Sequence, residues 1–106
     1  MQSQWRMRVI AKKTLVQYYT EHNDAKTALE DWFEKTENAE WDMFAHIKRT
    51  FHSADSVGNN RFVFNIKGNR FRLVALVLFK NKMVYIRFVG THQEYERIQD
   101  IKNISL

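Results

Sequence analysis

The spacing of hydrophobic positions changes from helical to alternating at about residue 61. Before that point, apolar residues recur at intervals of three or four, which is typical of amphipathic helices. From the stretch RFVFNI onwards, apolar and polar residues alternate, as they do in strands that bury one face. The pattern therefore predicts an α+β protein in which the helices precede most of the sheet.

The first half of the chain predicts three helices. Thr14 is expected to cap a helix that runs to about His22, and Asp24 is expected to cap the next one. A third, shorter helix is predicted from about residue 42 to residue 51. The second helix carries the clearest apolar stripe, formed by Ala25, Ala28, Leu29, Trp32 and Phe33.

Two further segments of the first half have weaker patterns. Residues 8–11 are predicted to form a short strand. The stretch SADSVGNN, residues 53–60, has the composition of a loop.

Three antiparallel strands are predicted at residues 61–66, 70–79 and 83–89. Gly68-Asn69 fits a two-residue hairpin turn with glycine at its first central position, and KNK at residues 80–82 supplies a second turn. The first turn would pair Asn65 with Arg72 and Phe64 with Leu73.

Side chains alternate between the two faces of a strand, so this register predicts the residues on each face of the sheet. The face expected to pack on the helices contains Phe62, Phe64, Ile66, Phe71, Leu73, Ala75, Val77, Val84, Ile86 and Phe88. The opposite face contains Arg61, Val63, Asn65, Arg70, Arg72, Val74, Tyr85 and Arg87. A two-residue second turn keeps Arg87 beside Arg72, whereas a three-residue turn would reverse the last strand and remove it.

The net positive charge of the protein comes from the second half of the chain. Residues 1–60 carry 8 Lys/Arg and 9 Asp/Glu, whereas residues 61–106 carry 9 and 3. Such asymmetry indicates a polyanionic or acidic partner, although a solvated basic face without a ligand is the alternative. Arginines beside an amide and an aromatic ring suit phosphates and unstacked bases, so the second sheet face is a candidate surface for RNA.

Composition excludes several other classes of protein. The 106 residues indicate a single domain, with MQSQWR at residues 1–6 expected to be a flexible leader. The absence of cysteine excludes disulfides and thiolate metal sites. The longest apolar run, residues 73–79, is too short for a membrane span, and we expect a cytoplasmic protein.

No cofactor or metal is expected. The four histidines lack the paired spacing of zinc ligands, and no carboxylates cluster on the basic face. Three glycines are too few to build a phosphate-cradling loop. Cleavage of RNA would therefore use the 2′-hydroxyl of the substrate, with a base, an acid and cations supplied by the protein.

The stretch THQEY after Gly90 carries candidate chemistry. Thr91 and Glu94 have the spacing of a capping box, which explains both structurally. His92 and Tyr95 lie three residues apart, on one side of the predicted helix, and both can transfer protons. On spacing alone, packing or capping explains such a pair more often than catalysis does.

The block RFVFNIKGNRFRLVALVLFKNKMVYIRFVGTHQEYERI, with the upstream MRVIAKKTL and SADSVGNN, resembles the HigB family of type II toxins, the ribosome-dependent mRNA interferases. The resemblance covers roughly residues 7–98. It implies one domain with a RelE-like fold, in which an N-terminal strand and helices pack on an antiparallel meander and a short helix ends the fold.

The resemblance also implies a function and partners. The toxin would cleave mRNA in the ribosomal A site, and a HigA-type helix-turn-helix antitoxin would neutralise it. Operator DNA would be bound only through the toxin–antitoxin complex.

The positions that match the active residues of the superfamily are Arg72, His92 and Tyr95, and Arg87 is placed to assist. Four residues are expected to hold the RNA, namely Arg61, Asn65, Lys67 and Arg70.

A second hypothesis keeps the fold without catalysis. In it, a toxin or binding module would grip gyrase, RNA or only its antitoxin through the basic face. Cleavage of a message in a translating system distinguishes the two hypotheses.

Overall fold

A computed structural model describes residues 6–105 of the protein. Apart from Arg6, which is exposed, the predicted leader lies outside the described residues. The helices of the described chain are α1 (Lys12–Glu21), α2 (Lys26–Glu37), α3 (Phe44–Thr50) and α4 (His92–Glu96). The strands are β1 (Arg8–Ile10), β2 (Asp55–Gly58), β3 (Arg61–Ile66), β4 (Phe71–Leu78) and β5 (Met83–Thr91).

The five strands form a single sheet in the order β1-β5-β4-β3-β2. β1 runs parallel to β5, and the remaining neighbours are antiparallel. The α+β class and the meander of β3, β4 and β5 are therefore confirmed. Among residues 6–105, no helix is long and apolar enough to cross a membrane.

The hydrophobic core lies between the helices and one face of the sheet. Phe64 is at its centre, with ring centroids 5.4 Å from Trp32 of α2 and 5.4 Å from Phe51. The predicted stripe of α2 is confirmed, because Ala25, Leu29 and Trp32 are buried. Burial of apolar surface in this layer, to which the large aromatic side chains contribute strongly, favours folding.

The starts of the first two helices differ from the sequence prediction. α1 begins at Lys12 with Ala11 at the N-cap, so Thr14 lies inside the first turn. Asp24 belongs to a short 3₁₀ turn, Asn23–Ala25, and α2 begins after it. Pairing of β1 with β5 fixes where the chain can turn into α1, and this tertiary contact overrides the local capping preference.

Part of the predicted loop at residues 53–60 is a strand. Asp55 pairs with Val63 and Ser56 with Phe62, and an irregularity follows before Gly58 pairs with Arg61. The sequence pattern does not predict this edge strand, because it contains polar residues and a glycine. Its extended conformation depends on pairing with β3.

The predicted register of the first hairpin is confirmed. Asn65 pairs with Arg72 and Phe64 with Leu73. The backbone N–H of Arg70 donates to the carbonyl of Lys67 over 3.3 Å, and Gly68, at the first central position, has a φ of +64°. Glycine adopts this backbone conformation without the steric penalty that a Cβ would bring.

In the second hairpin, side chains lie on the predicted faces of the sheet only as far as Ile86. Leu76 pairs with Tyr85 and Ala75 with Ile86, but Val74 pairs with Phe88. Arg87 is thus the extra residue of a β-bulge.

The bulge corrects the predicted face of Phe88. The sequence predicts Phe88 on the helix-packed face, but it lies on the opposite face with Val74. Val89 pairs with Leu73 instead and packs against the core. The other nine residues predicted for the helix-packed face are all buried.

The face opposite the helices is partly covered by the C-terminal segment, residues 92–105. α4 contacts β4 and β5, and a 3₁₀ turn at Ile101–Asn103 contacts β2 and β3. As a result, Val63 and Val74 on this face are buried rather than exposed.

Candidate functional site

The capping box fixes α4 directly at the end of β5. The backbone N–H of Glu94 donates to Thr91 Oγ1 over 3.1 Å, and the backbone N–H of Thr91 donates to Glu94 Oε1 over 2.8 Å. The backbone N–H of His92 donates to the carbonyl of Arg70 over 3.0 Å. The predicted capping box is confirmed, and the start of α4 is tied to the chain entering β4.

Gly90 lets α4 lie close to the sheet. It is buried and pairs with Arg72. A Cβ at this position would come within 2.6 Å of Phe88 Cζ and 2.8 Å of Glu94 Oε1. Both distances are too short for carbon contacts, so a side chain here would force the capping carboxylate or the Phe88 ring to move.

Arg72 and Tyr95 are in contact on the sheet face opposite the helices. The guanidinium carbon of Arg72 lies 5.1 Å from the centroid of the Tyr95 ring. A cation over a phenol ring is held by the ring's negative face. Arg72 Nη2 also donates to Asn69 Oδ1 over 2.9 Å, so the hairpin turn holds the other side of the guanidinium.

The bulge places Phe88 beside this pair and leaves Arg87 against Tyr85 of the same strand. The guanidinium carbon of Arg87 lies 5.3 Å from the centroid of the Tyr85 ring, and the Phe88 ring is 6.4 Å from that of Tyr95. Two arginines from neighbouring strands are therefore each packed against a tyrosine on the same face.

The imidazole of His92 is held at one nitrogen. Its Nε2 is 3.1 Å from Glu96 Oε2, one helical turn later. Its Nδ1 is inaccessible to solvent and has no hydrogen-bond partner within residues 6–105.

The Nε atoms of Arg72 and Arg87 are likewise inaccessible to solvent and have no hydrogen-bond partner within the described chain. Inaccessible polar atoms in proteins normally have partners. Three of the four predicted catalytic residues thus keep one unsatisfied nitrogen.

The predicted RNA-holding residues are placed less uniformly. Asn65 is half-buried and lies opposite Arg72. Arg70 Nη2 is 3.1 Å from Asp24 Oδ2, and Lys67 Nζ donates to the Asp24 carbonyl over 3.1 Å. Lys67 and Arg70 therefore lie at the edge of the site, next to the 3₁₀ turn that contains Asp24.

Arg61 lies at the far end of β3 and is bound to the protein itself. Its Nε and Nη2 donate to the Ile104 carbonyl over 3.3 Å and 3.1 Å, and its Nη1 donates to the Asn59 carbonyl over 3.1 Å. The structure does not bring Arg61 to the cluster around Arg72.

Tyr18 is a neighbour of the site that the sequence did not single out. Its ring stacks on His22 at 4.1 Å and meets Phe71 edge-on at 6.1 Å. Burial, followed by the negative charges of Glu94 and Asp24, raises the pKa of Tyr18 to about 12. In the sequence, Tyr18 has only the helical spacing that is typical of an ordinary packing residue.

Glu96 and Asn69 were also missed. Each touches a predicted catalytic side chain, Glu96 that of His92 and Asn69 that of Arg72. The i,i+4 spacing of His92 and Glu96 was the available signal for the first pair. No group of three histidine, aspartate or glutamate side chains in residues 6–105 is arranged to hold a metal ion.

Comparison with known proteins identifies the family. The HigB_toxin family, described as the RelE-like toxic component of a toxin-antitoxin system, matches residues 25–98. The chain belongs to the HigB toxin family. The expected RelE-like fold and toxin class are therefore confirmed, and membership of a toxin-antitoxin family implies an antitoxin as partner.

Curated relatives support the same family. The mRNA interferase toxin HigB of Escherichia coli strain K12 is 33% identical over 100 residues, which cover 85% of this chain and 88% of the relative. The proteins named mRNA interferase HigB from Escherichia coli O157:H7 and Shigella flexneri match to the same extent. Arg72, Arg87, His92 and Tyr95 all fall within the range that matches the HigB family.

Proposed function

We propose that this HigB-family toxin is an endoribonuclease that cleaves mRNA on the ribosome without a metal ion. The observation that carries the proposal is the Arg72–Tyr95 contact, in which a guanidinium and a phenol share the sheet face away from the helices. The names of the relatives, mRNA interferases, support RNA as the substrate.

The chemistry follows from the residue types in the cluster. A base removes the proton from the 2′-hydroxyl, whose oxygen forms a bond to the adjacent phosphorus. The bond from phosphorus to the 5′-oxygen breaks, and an acid protonates that oxygen. The products are a 2′,3′-cyclic phosphate and a 5′-hydroxyl.

Four side chains supply these roles in the proposal. His92 and Tyr95 are the two proton-transfer groups. Arg72 and Arg87 stabilise the charge that builds up on the phosphate, because guanidinium groups bind phosphate oxygens bidentately and are already held in place by Tyr95 and Tyr85.

RNA binding is proposed for the residues that border the cluster. Asn65 is opposite Arg72, and Lys67 and Arg70 extend the positive charge along the β3–β4 turn. A phosphate at that edge would compete with Asp24 for both cations. Arg61 would contribute only after releasing the carbonyl of Ile104.

Removal of either member of the central pair tests the proposal. Arg72→Ala and Tyr95→Phe are each expected to lower the cleavage rate of a message in a purified translating system by about 10²-fold or more. Binding of the cognate antitoxin should persist in both variants. Matched controls are Arg49→Ala, an exposed arginine on α3, and Tyr19→Phe, whose ring lies beneath Lys26 on the helical side.

The outcome separates catalysis from binding. If the wild-type protein leaves the message intact, the nuclease proposal fails, and the non-catalytic hypothesis, in which the basic face grips gyrase or RNA, takes its place. If both variants cut the message at the wild-type rate, the Arg72–Tyr95 pair is not the catalytic site.

The antitoxin is proposed to be a HigA-type helix-turn-helix protein. Co-expression of the antitoxin from the same operon should relieve growth arrest caused by the toxin. Operator DNA should be shifted in a gel by the complex and left unshifted by the toxin alone.

A further inference from the structure

Two cations of the β3–β4 turn are bound to a single acidic residue on the helical side of the protein. Arg70 Nη2 donates to Asp24 Oδ2 over 3.1 Å, and Lys67 Nζ donates to the backbone carbonyl of Asp24 over 3.1 Å. The β3–β4 turn is therefore joined to the 3₁₀ turn Asn23–Ala25 that precedes α2.

The Asp24–Arg70 pair is open to solvent. The side chain of Arg70 is 63% exposed, and that of Asp24 is 45% exposed. Exposed ion pairs are weak, because water screens them and two flexible side chains have to be ordered. A phosphate can therefore reach the guanidinium of Arg70 and replace the carboxylate at little cost in stability.

Arg70 is attached to the candidate site through its backbone. Its carbonyl accepts from the N–H of His92, the first residue of α4, over 3.0 Å. Two residues further along the chain, Arg72 packs against Tyr95. An RNA strand whose scissile phosphate lies at Arg72 would thus bring a flanking phosphate to Arg70.

The backbone of Asp24 is anchored in the core, and its carboxylate lies against these cations. Ala25, the next residue, is fully buried. Burial and then the charges of Glu94 and Asp24 raise the pKa of Tyr18 to about 12, so both carboxylates lie near this tyrosine. Glu94 is committed to the capping box of α4, whereas Asp24 is bonded to the arginine that a phosphate would approach.

We propose that Lys67 and Arg70 form a subsite for a backbone phosphate of RNA, and that Asp24 occupies it in the free protein as an internal competitor. The proposal rests on the proposed function and concerns the affinity for RNA, not the bond-breaking step. Guanidinium groups bind carboxylates and phosphates through the same donors, so the two anions compete for Arg70. The charge of Asp24 also repels the phosphate, and Asp24 therefore lowers the affinity for RNA.

Asp24→Asn tests the proposal. It removes the charge and keeps the size of the side chain and the carbonyl that accepts from Lys67. Interactions between exposed charges correspond to a few-fold in affinity, so KM for cleavage of a ribosome-bound message should fall about two- to fivefold. We expect kcat to stay unchanged, because Asp24 opposes the ground state and the transition state equally.

The matched control is Asp31→Asn, which breaks a pair with Lys35 of the same length, 3.1 Å, and changes the net charge by the same amount. It should leave KM unchanged. In an Arg70→Ala background, Asp24→Asn should produce no gain. An unchanged KM in Asp24→Asn, an equal fall in Asp31→Asn, or an equal gain with and without Arg70 would overturn the proposal.

Binding without cleavage separates this proposal from the nuclease function. The probe is a ribosome programmed with a message whose A-site codon carries 2′-O-methyl groups, to which Asp24→Asn should bind about two- to fivefold more tightly than wild type. If the wild-type protein does not cleave the unmodified message, the nuclease function fails, and this measurement still tests Asp24.

The same measurement on ribosomes without a message identifies the source of the phosphate. A gain on programmed ribosomes alone assigns the phosphate to the message. A gain of the same size on both assigns it to ribosomal RNA. Equal binding of Asp24→Asn and wild type on both kinds of ribosome would show that Asp24 does not compete with RNA.

Discussion

Single side chains of the site are fixed by neighbours distant in the sequence. The guanidinium of Arg72 is held along one edge by Asn69 and on one face by the Tyr95 ring. Groups that are already oriented need not reorganise when charge develops, which is the main source of electrostatic catalysis. At the scale of the residue, the guanidinium of Arg72 would therefore need little reorganisation in the proposed role of binding phosphate.

Tyr18 offers a test at the same scale. Its hydroxyl is closed to solvent and has no hydrogen-bond partner among the described residues. Because an unsatisfied buried hydroxyl is unfavourable, Tyr18→Phe should leave the free energy of unfolding at pH 7 unchanged or raise it by about 1 kcal/mol. Urea denaturation measures this. A loss of similar size would show that the hydroxyl is bonded in the folded protein.

The same substitution should change stability at alkaline pH. Burial, followed by the negative charges of Glu94 and Asp24, raises the pKa of Tyr18 from the ordinary 10.0 to about 12 in the folded protein. Folding therefore favours the protonated form, and its contribution to stability is fully present below pH 10 and is lost as the pH rises towards 12. Relative to wild type, Tyr18→Phe should gain stability over that window, and a constant difference between the two proteins would contradict this.

Among the larger elements, the hairpins show what sequence can predict. The bounds of β3 and the register of β3 with β4 were predicted correctly, because the alternation of side chains and the turn chemistry of Gly68 agree. The bulge at Arg87 could not be predicted. Apolar residues continue on both sides of it, in YIRFV, and only pairing with β4 reveals the extra residue.

The starts of α1 and α2 and the edge strand β2, in contrast, could not be predicted from the local sequence. Thr14 and Asp24 have the side chains of good caps, yet Thr14 lies inside the first turn of α1 and Asp24 lies in the 3₁₀ turn before α2. β2 has no strand pattern of its own and depends on β3. Local preference is overridden wherever pairing across the sheet supplies more contacts.

The candidate site was predicted in part. The capping box predicted α4 from a purely local signal, but His92 and Tyr95 were proposed as active residues from the resemblance to the HigB family. The partners that hold them were not proposed. Asn69 and Phe88 meet the site only after the hairpins have formed, and the bulge reverses the face on which Phe88 was expected.

The junction of β5 and α4 supplies a prediction for an element. Gly90→Ala should push the Glu94 carboxylate or the Phe88 ring out of place, since its Cβ would lie within 3 Å of both. We expect a cleavage rate lower by about tenfold or more, as displacement of a catalytic group by about 1 Å can cost 10²-fold. Kinetics of the purified variant measure the effect.

Gly58→Ala is the control for that substitution. Gly58 has a φ of +97°, and an added Cβ would meet Lys102 at an ordinary contact distance of 3.5 Å, so the methyl strains the backbone without touching α4. It should cost stability and leave the cleavage rate near that of wild type. Equal loss of activity in both variants would mean that the site does not depend on close approach of α4.

At the scale of the whole molecule, the C-terminal segment is hydrogen-bonded to β3 and to the turn before it. Arg61 donates to the carbonyl of Ile104, and Asn59 Nδ2 donates to the carbonyl of Lys102 over 3.1 Å. These contacts connect β3 and the turn before it to residues that follow α4. The segment therefore spans the sheet from the candidate site to β2.

Arg61→Ala tests this connection. Loss of charge-assisted bonds to the Ile104 carbonyl should lower the free energy of unfolding by about 1.5–3 kcal/mol, measured by urea denaturation. Arg49→Ala, at an exposed position on α3, should lie within about 0.5 kcal/mol of wild type. A stable Arg61→Ala variant with weakened RNA binding would instead assign Arg61 to the substrate.

The bulge at Arg87 also bears on how relatives of this chain are aligned. A homologue one residue shorter between Ile86 and Phe88 would lack the extra residue, and its strand would alternate regularly, with the residues that match Phe88 to Thr91 on the same faces as here. A gap placed at Arg87 is thus not equivalent to a gap in the turn before the strand. An alignment that moves it to that turn would shift the residues matched with Met83 to Ile86 by one position and assign each of them to the wrong side of the sheet.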